Sequence, residues 1–215
     1  MKIELEGQEG KLFEEIIALY HEIKELMIYA EEIGGESFTP ATEEFRYAFD
    51  HLMRVFAFKL DFKSVDADYV IENLKPAFSH LYRAAYNLLD YLSIIFREKV
   101  GDEMQSFSAK TLQELFPKYY QEIKPYFEVE APKELSELRD AKDIGEPNKD
   151  DLNKYTEIAE KMASYHEEIL KIKPSLLEYE NKTRDEKRKS KLWQIIIPVI
   201  ATVIGIIIGK FLSVF

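Results

Sequence analysis

The pattern A-F-x-H-L-x-R occurs twice in this sequence. It reads Ala48-Phe49-Asp50-His51-Leu52-Met53-Arg54 and, 29 residues later, Ala77-Phe78-Ser79-His80-Leu81-Tyr82-Arg83. The two copies hold half of the four histidines and two of the seven arginines. On a helix, residues three apart share a face, so His and Arg line one side while Phe and Leu turn to the core on another. In the second copy the polar face continues as His80, Arg83, Asn87 and Asp90. If the two helices are neighbours, His51 and Arg54 converge with His80 and Arg83 into a cationic cleft. Guanidinium forks and protonatable imidazoles suit an anionic ligand, either a small molecule or an oligonucleotide. His51, Arg54, His80, Arg83, Asn87 and Asp90 are therefore the candidate ligand-binding residues. The same side chains also admit a structural role, paired with Asp50, Asp61, Asp90 and other carboxylates between helices.

Other chemistry finds little footing. The sequence contains no cysteine, so disulfides, thiolate metal sites and cysteine nucleophiles are excluded. No HExxH is present, and the eight glycines form no phosphate-cradling loop. No GxSxG nucleophile elbow appears. We expect no catalytic residue, no metal and no cofactor, and read the chain as a non-enzyme.

The formal charge of −11 is unevenly spread over the 215 residues. Lys187, Arg188, Lys189, Lys191 and Lys210 are the only charges after residue 186, which leaves −16 on residues 1–186. Such a surface repels phosphate backbones, so non-specific nucleic-acid binding is not expected. The first residues carry no apolar run of a secretory signal. Leu192–Phe215, LWQIIIPVIATVIGIIIGKFLSVF, has no charge from Ile195 to Gly209. As a helix these 24 residues rise about 36 Å, enough for a hydrocarbon layer of about 30 Å. Trp193 suits an interface, and the basic run before it predicts a cytoplasmic N-terminal side. The expectation is a tail-anchored, single-pass protein of the inner (cytoplasmic) membrane, with the lipid bilayer as one partner. Ala201, Gly205 and Gly209 form a small-residue stripe of the kind that packs membrane helices, which makes a homo-oligomer the second expected partner.

The elements before this span read as all-α: a helical bundle with a long helical stalk and one C-terminal transmembrane helix. The expected divisions are a cytoplasmic sensing bundle over 1–145, a stalk over 150–191 and the span over 192–215. Within the bundle, a helix from Gln8 ends at Gly34-Gly35. Thr39-Pro40 caps and opens a second helix, running to about Asp61. A short helix starts at Asp66, Pro76 opens a longer one ending near Gly101, and helices follow over 108–127, broken at Pro117 and Pro125, and over 132–142. A break at Ile144–Asn148 precedes the stalk. There Tyr155, Ile158, Met162, Tyr165, Ile169, Ile172, Leu176 and Tyr179 repeat at 3,4 spacing, with Pro174 interrupting. That seam serves either a coiled coil or a helix packed on the bundle.

Two resemblances bear on function. Arg46-x4-His51 is similar to the R-x4–6-H pattern of HEPN-type helical nucleases, which would place Arg and His at a scissile phosphate. The stretch from Glu44 to Arg54, with His80 to Asp90, resembles helical proteins of bacterial anti-phage defence loci. With the apolar terminal segment added, the layout is similar to the transmembrane effector of the Hailong system, which pairs a nucleotidyltransferase with a membrane protein. That resemblance implies a homo-oligomeric channel gated by a nucleic-acid-like ligand. The expected function is a membrane effector that senses a ligand or partner and forms or gates a pore. The alternatives are a passive membrane tether and a membrane-attached ribonuclease.

Overall fold

The computed structural model describes residues 3–62, 68–141 and 148–212, without the side chains of Ala141, Val203 and 205–212. Its described elements are all helical: α1 (Gly7–Gly34), α2 (Thr39–Lys59), α3 (Tyr69–Gln105), α4 (Ala109–Leu115), two π-helical turns (Tyr119–Ile123 and Tyr126–Glu130), α5 (Ala131–Ala141) and α6 (Lys149–Leu212). The all-α expectation holds. The break at 144–147 and the helix start at Asp66 lie outside the described residues.

α3 is the centre. α1, α2 and α6 all pack against it. Seventeen of its 37 residues are buried, among them Leu74, Tyr86, Leu88, Leu89, Leu92 and Phe96. A helix apolar around most of its circumference needs neighbours on most sides, and these three supply them. α1 ends as expected, with Gly35 in the left-handed region (φ 77°) and its N–H donating to the Glu31 carbonyl at 2.7 Å. The next residues turn the chain so that Phe38 stacks on Tyr91 of α3 at 4.3 Å between ring centroids.

Several boundaries depart from expectation, mostly at prolines. Pro76 lies inside α3 and opens nothing. A proline forfeits one backbone hydrogen bond, and the apolar residues buried on either side, Val70, Leu74, Ala77 and Leu81, outweigh that loss. Pro125 does not break its helix but sits between two π-helical turns. In these, the Lys124 and Ala131 N–H groups donate to carbonyls five residues back, at Tyr119 and Tyr126. The wider turns also align Ile123, Phe127, Ala131 and Leu135 towards the core. That spacing of four drifts by about 40° per step on a regular α-helix. The helices expected over 108–127 and 132–142 are thereby partly fused. Pro117 does end α4, as expected. Thr39 is the first helical residue, and the capping position is Phe38, which gives no side-chain cap.

Pro174 likewise fails to interrupt α6, one helix of 64 residues. Its seam is spent inside the molecule. Tyr155, Ile158, Met162, Ile169 and Leu176 are buried, Tyr165 and Ile172 pack against the core, and the partners are α3, α4 and α5. The seam thus packs on the bundle as far as Glu180. Polar contacts follow the same line: Lys118–Glu168 at 2.6 Å, Lys173–Glu103, and Glu180 with Ser108 at 2.9 Å and with Thr111. Beyond Glu180 nearly every described side chain is exposed.

Among the described residues, no helix is long and apolar enough to cross a membrane. Half of the segment expected to do so, Val203 and 205–215, lies outside the described side chains, Gly205 and Gly209 included. The part that is described, from Leu192 to Ile200, is helical and exposed on every face, with Trp193 at 60% and Ile195 at 65%.

One buried group sets a pH dependence. His166 of α6 lies against the Phe96 ring at 5.8 Å. Burial holds its pKa below the usual value, and nearby Lys99 pushes the same way. A histidine with a depressed folded pKa binds fewer protons folded than unfolded, so its contribution to stability is full above the unfolded value near 6.5 and is lost as pH falls. Bundle stability measured by urea unfolding should therefore decline between pH 7.5 and 5, and His166→Leu should make that decline shallower. An unchanged slope would show that His166 does not carry it.

Candidate functional site

α2 and α3 are neighbours, and they bring one part of the repeat together. The His51 and His80 rings stack at 5.4 Å. The Tyr47 ring also lies 5.2 Å from that of His80. His51 Nδ1 is 3.1 Å from Oδ1 of the buried Asn73, whose own amide donates to the Tyr69 carbonyl at 2.8 Å. The cluster spans two helices because each copy of the repeat places its histidine one turn from a buried alanine, Ala48 or Ala77. A methyl group there allows close approach of the backbones.

Glu44 is the residue that sequence reasoning passed over. Its Oε2 is 2.6 Å from His80 Nδ1 and accepts from Arg83 Nε at 3.1 Å. The His80 Nδ1 is also 2.6 Å from an Nη of Arg83. One nitrogen cannot serve both contacts at once. Protonated, it donates to Glu44; bare, it accepts from Arg83. Burial depresses the His80 pKa, and Arg83 and His51 act the same way, against the raising effect of Glu44. The neutral imidazole is thus favoured near pH 7, and the Arg83 charge is met by Glu44. The signal in the sequence was spacing: Glu44 lies four and seven residues before Ala48 and His51, on the same helical face.

The other predicted residues go elsewhere. Arg54 turns to solvent and pairs with Asp50 at 2.5 Å, one turn back on α2. Phe49, expected on the core side, is 59% exposed, whereas its counterpart Phe78 packs on the core. The two copies therefore differ in environment despite matching in sequence, because α2 is covered on fewer sides than α3. Asn87 is half-buried on α3 beyond Arg83. Asp90 belongs to a second cluster, where it accepts from Arg139 Nε of α5 at 2.8 Å and from the Tyr155 hydroxyl of α6. Tyr155 stacks on Tyr86, and the Tyr82 hydroxyl donates to the Asn148 carbonyl at 2.6 Å while accepting from its N–H at 2.9 Å. This second cluster ties three helices together. Burial and the Asp90 contact both push the Tyr155 pKa up.

Arg46 and His51, the pair of the nuclease resemblance, leave α2 on different sides. The Arg46 guanidinium lies 4.8 Å from the Tyr47 ring centroid and lines a groove towards α1, while His51 faces α3. Among the described residues no group of three or more His, Asp or Glu side chains is placed to hold a metal ion.

Comparison with protein-family models, curated proteins and solved structures finds no match for this chain.

Two substitutions separate the clusters. Glu44→Gln removes the charge that raises the His80 pKa, so that pKa should fall further below 6.5 while His166 is unmoved, as read by imidazole NMR titration. Asp90→Ala leaves the Tyr155 hydroxyl and Arg139 without their acceptor and should cost about 1–3 kcal/mol in urea unfolding. A cost near zero would remove Asp90 from the list of groups that hold α5 and α6 on α3.

Proposed function

We propose that this chain is a membrane-anchored, homo-oligomeric effector. The helical bundle senses a ligand or partner, and α6 carries the change to an apolar helix that forms or gates a pore in anti-phage defence. The observation that carries this reading is the continuity of α6. The helix that buries Tyr155, Met162, Ile169 and Leu176 in the bundle continues without a break through the basic link to the apolar segment. From residue 181 to 212 it extends about 48 Å past its last bundle contacts. A helix with large apolar side chains on every face is stable only where something other than water covers it, and a bilayer does so. A rigid helix joined to both parts converts a shift in bundle packing into rotation or translation at the membrane. A two-state bundle biased by a ligand supplies the shift.

The His51–His80–Arg83 cluster is where a ligand would compete with Glu44 for the guanidinium. That same internal counter-ion favours a second reading, a passive tether in which the cluster is structural.

A flexible Gly-Ser insertion between Asp185 and Glu186 separates the two. Both readings expect the variant to remain in the membrane fraction. The effector reading expects the loss of ligand- or partner-dependent depolarisation in cells expressing it. Undiminished depolarisation would refute coupling through α6. An intact chain recovered monodisperse in the detergent-free supernatant would refute both readings.

A further inference from the structure

An apolar opening lies between α1 and α2, on the side of α2 away from the histidines. It encloses about 580 Å³ and is lined by Phe13, Ile17 and Tyr20 of α1 and by Phe45, Phe49 and Leu52 of α2. Its floor is Ala48 and Leu81, both buried, so the opening is a pit where a methyl group sits among phenyl and isobutyl neighbours. Ile17, Tyr20 and Phe49 are exposed, an arrangement that costs free energy in water. The volume falls within the range of small-molecule sites.

The rim supplies one cation. Arg46 lines the opening, with its guanidinium on the face of Tyr47. It makes no ion pair with any described residue, although Glu43 and Asp50 lie on the same helix and Arg54 and Arg83 both have carboxylate partners. A planar guanidinium held by an aromatic ring at the lip of an otherwise apolar pit matches a ligand with one anionic end and an apolar body.

We propose that this groove binds a single-chain anionic amphiphile, a fatty carboxylate. Its chain lies on Phe13, Ile17, Phe45 and Phe49, and its carboxylate pairs with Arg46 in a bidentate fork. A diacyl lipid fits less well, because one pit of this size takes one chain. A second copy of the protein would need a broad complementary face with a hydrogen-bonding rim, whereas this surface is concave and its lining is almost entirely carbon. The site does not depend on the reading of α6 as a membrane helix.

The test is photolabelling of the full chain in lipid nanodiscs with a diazirine-bearing C16 fatty acid, followed by peptide mapping. The expected result is labelling of peptides spanning 13–20 and 45–52, competed by unlabelled palmitate. Arg46→Glu should lower it by about tenfold, since an attraction becomes a repulsion at a partly apolar rim. Leu52→Trp, which fills the pit, should abolish it, and Arg46→Lys should retain part of it. Three outcomes would overturn the proposal. One is equal labelling by the corresponding neutral alcohol or of the Arg46→Glu variant. Another is labelling confined to 192–215, which would mean bilayer partition only. The third is crosslinking of this face to a second copy by a bifunctional amine reagent in the absence of the fatty acid, which would make it a subunit interface. Failure of the membrane reading would appear separately, as a chain that does not enter the nanodisc.

Discussion

Because α3 is surrounded, every polar group it buries must find a partner, on its own backbone or on a neighbour, or destabilise the fold. An unpaired buried polar group costs on the order of 1–3 kcal/mol, a sizeable share of the net stability of a domain. Asn73 donates to the carbonyl of Tyr69, one turn back, and Ser93 does the same with Leu89. Tyr82 reaches the backbone of Asn148, and Asp90 gathers Arg139 and Tyr155. The histidine–arginine cluster obeys the same rule, with Glu44 as the common acceptor. What looks in sequence like one polar stripe is therefore two devices facing different helices. His80 and Arg83 face α2, and Asp90 faces α5 and α6.

The same demand explains why α6 is held so firmly before it leaves the bundle. Its apolar seam supplies the bulk of the stabilisation, at about 1.5–3 kcal/mol for each fully buried large side chain. Contacts from Glu168, Lys173 and Glu180 are spaced over three turns and fix its rotation about its own axis. Glu180 is the last of them. Its pKa is lowered mainly by the Thr111 hydroxyl and further by Ser108, so it stays ionised while it closes the start of α4. Rotation of the exposed continuation is thus set at its root, by Glu103, Ser108, Thr111 and Lys118.

Periodicity was legible in the sequence, and punctuation was less so. The 3,4 seam of α6 and the Gly34-Gly35 stop were read correctly, because buried spacing and left-handed glycine have one physical meaning each. Pro76 reads as the opening of a helix and Pro125 and Pro174 as breaks, and none of the three is a boundary. A proline removes one hydrogen bond and crowds one carbonyl, and long buried stretches on both sides, or a wider turn, absorb that. The repeat was legible as sequence and misleading as environment. Phe49 and Phe78 occupy equivalent positions, yet only α3 has neighbours enough to cover its phenylalanine. Glu44 went unread because a counter-ion supplied from another helix leaves no local pattern, only a shared face that becomes visible once α2 and α3 are known to touch.

The two π-helical turns at Tyr119–Ile123 and Tyr126–Glu130 have a consequence for how this fold tolerates change in chain length. Each houses a surplus residue within an otherwise regular screw. Shortening the segment by one position at either turn can restore ordinary winding while Ile123 and Leu135 keep their seats, whereas the same deletion in α3 would swing everything downstream by about 100°. Relatives of this architecture should therefore differ in length here first, with gaps falling at the surplus positions and not in the central helix.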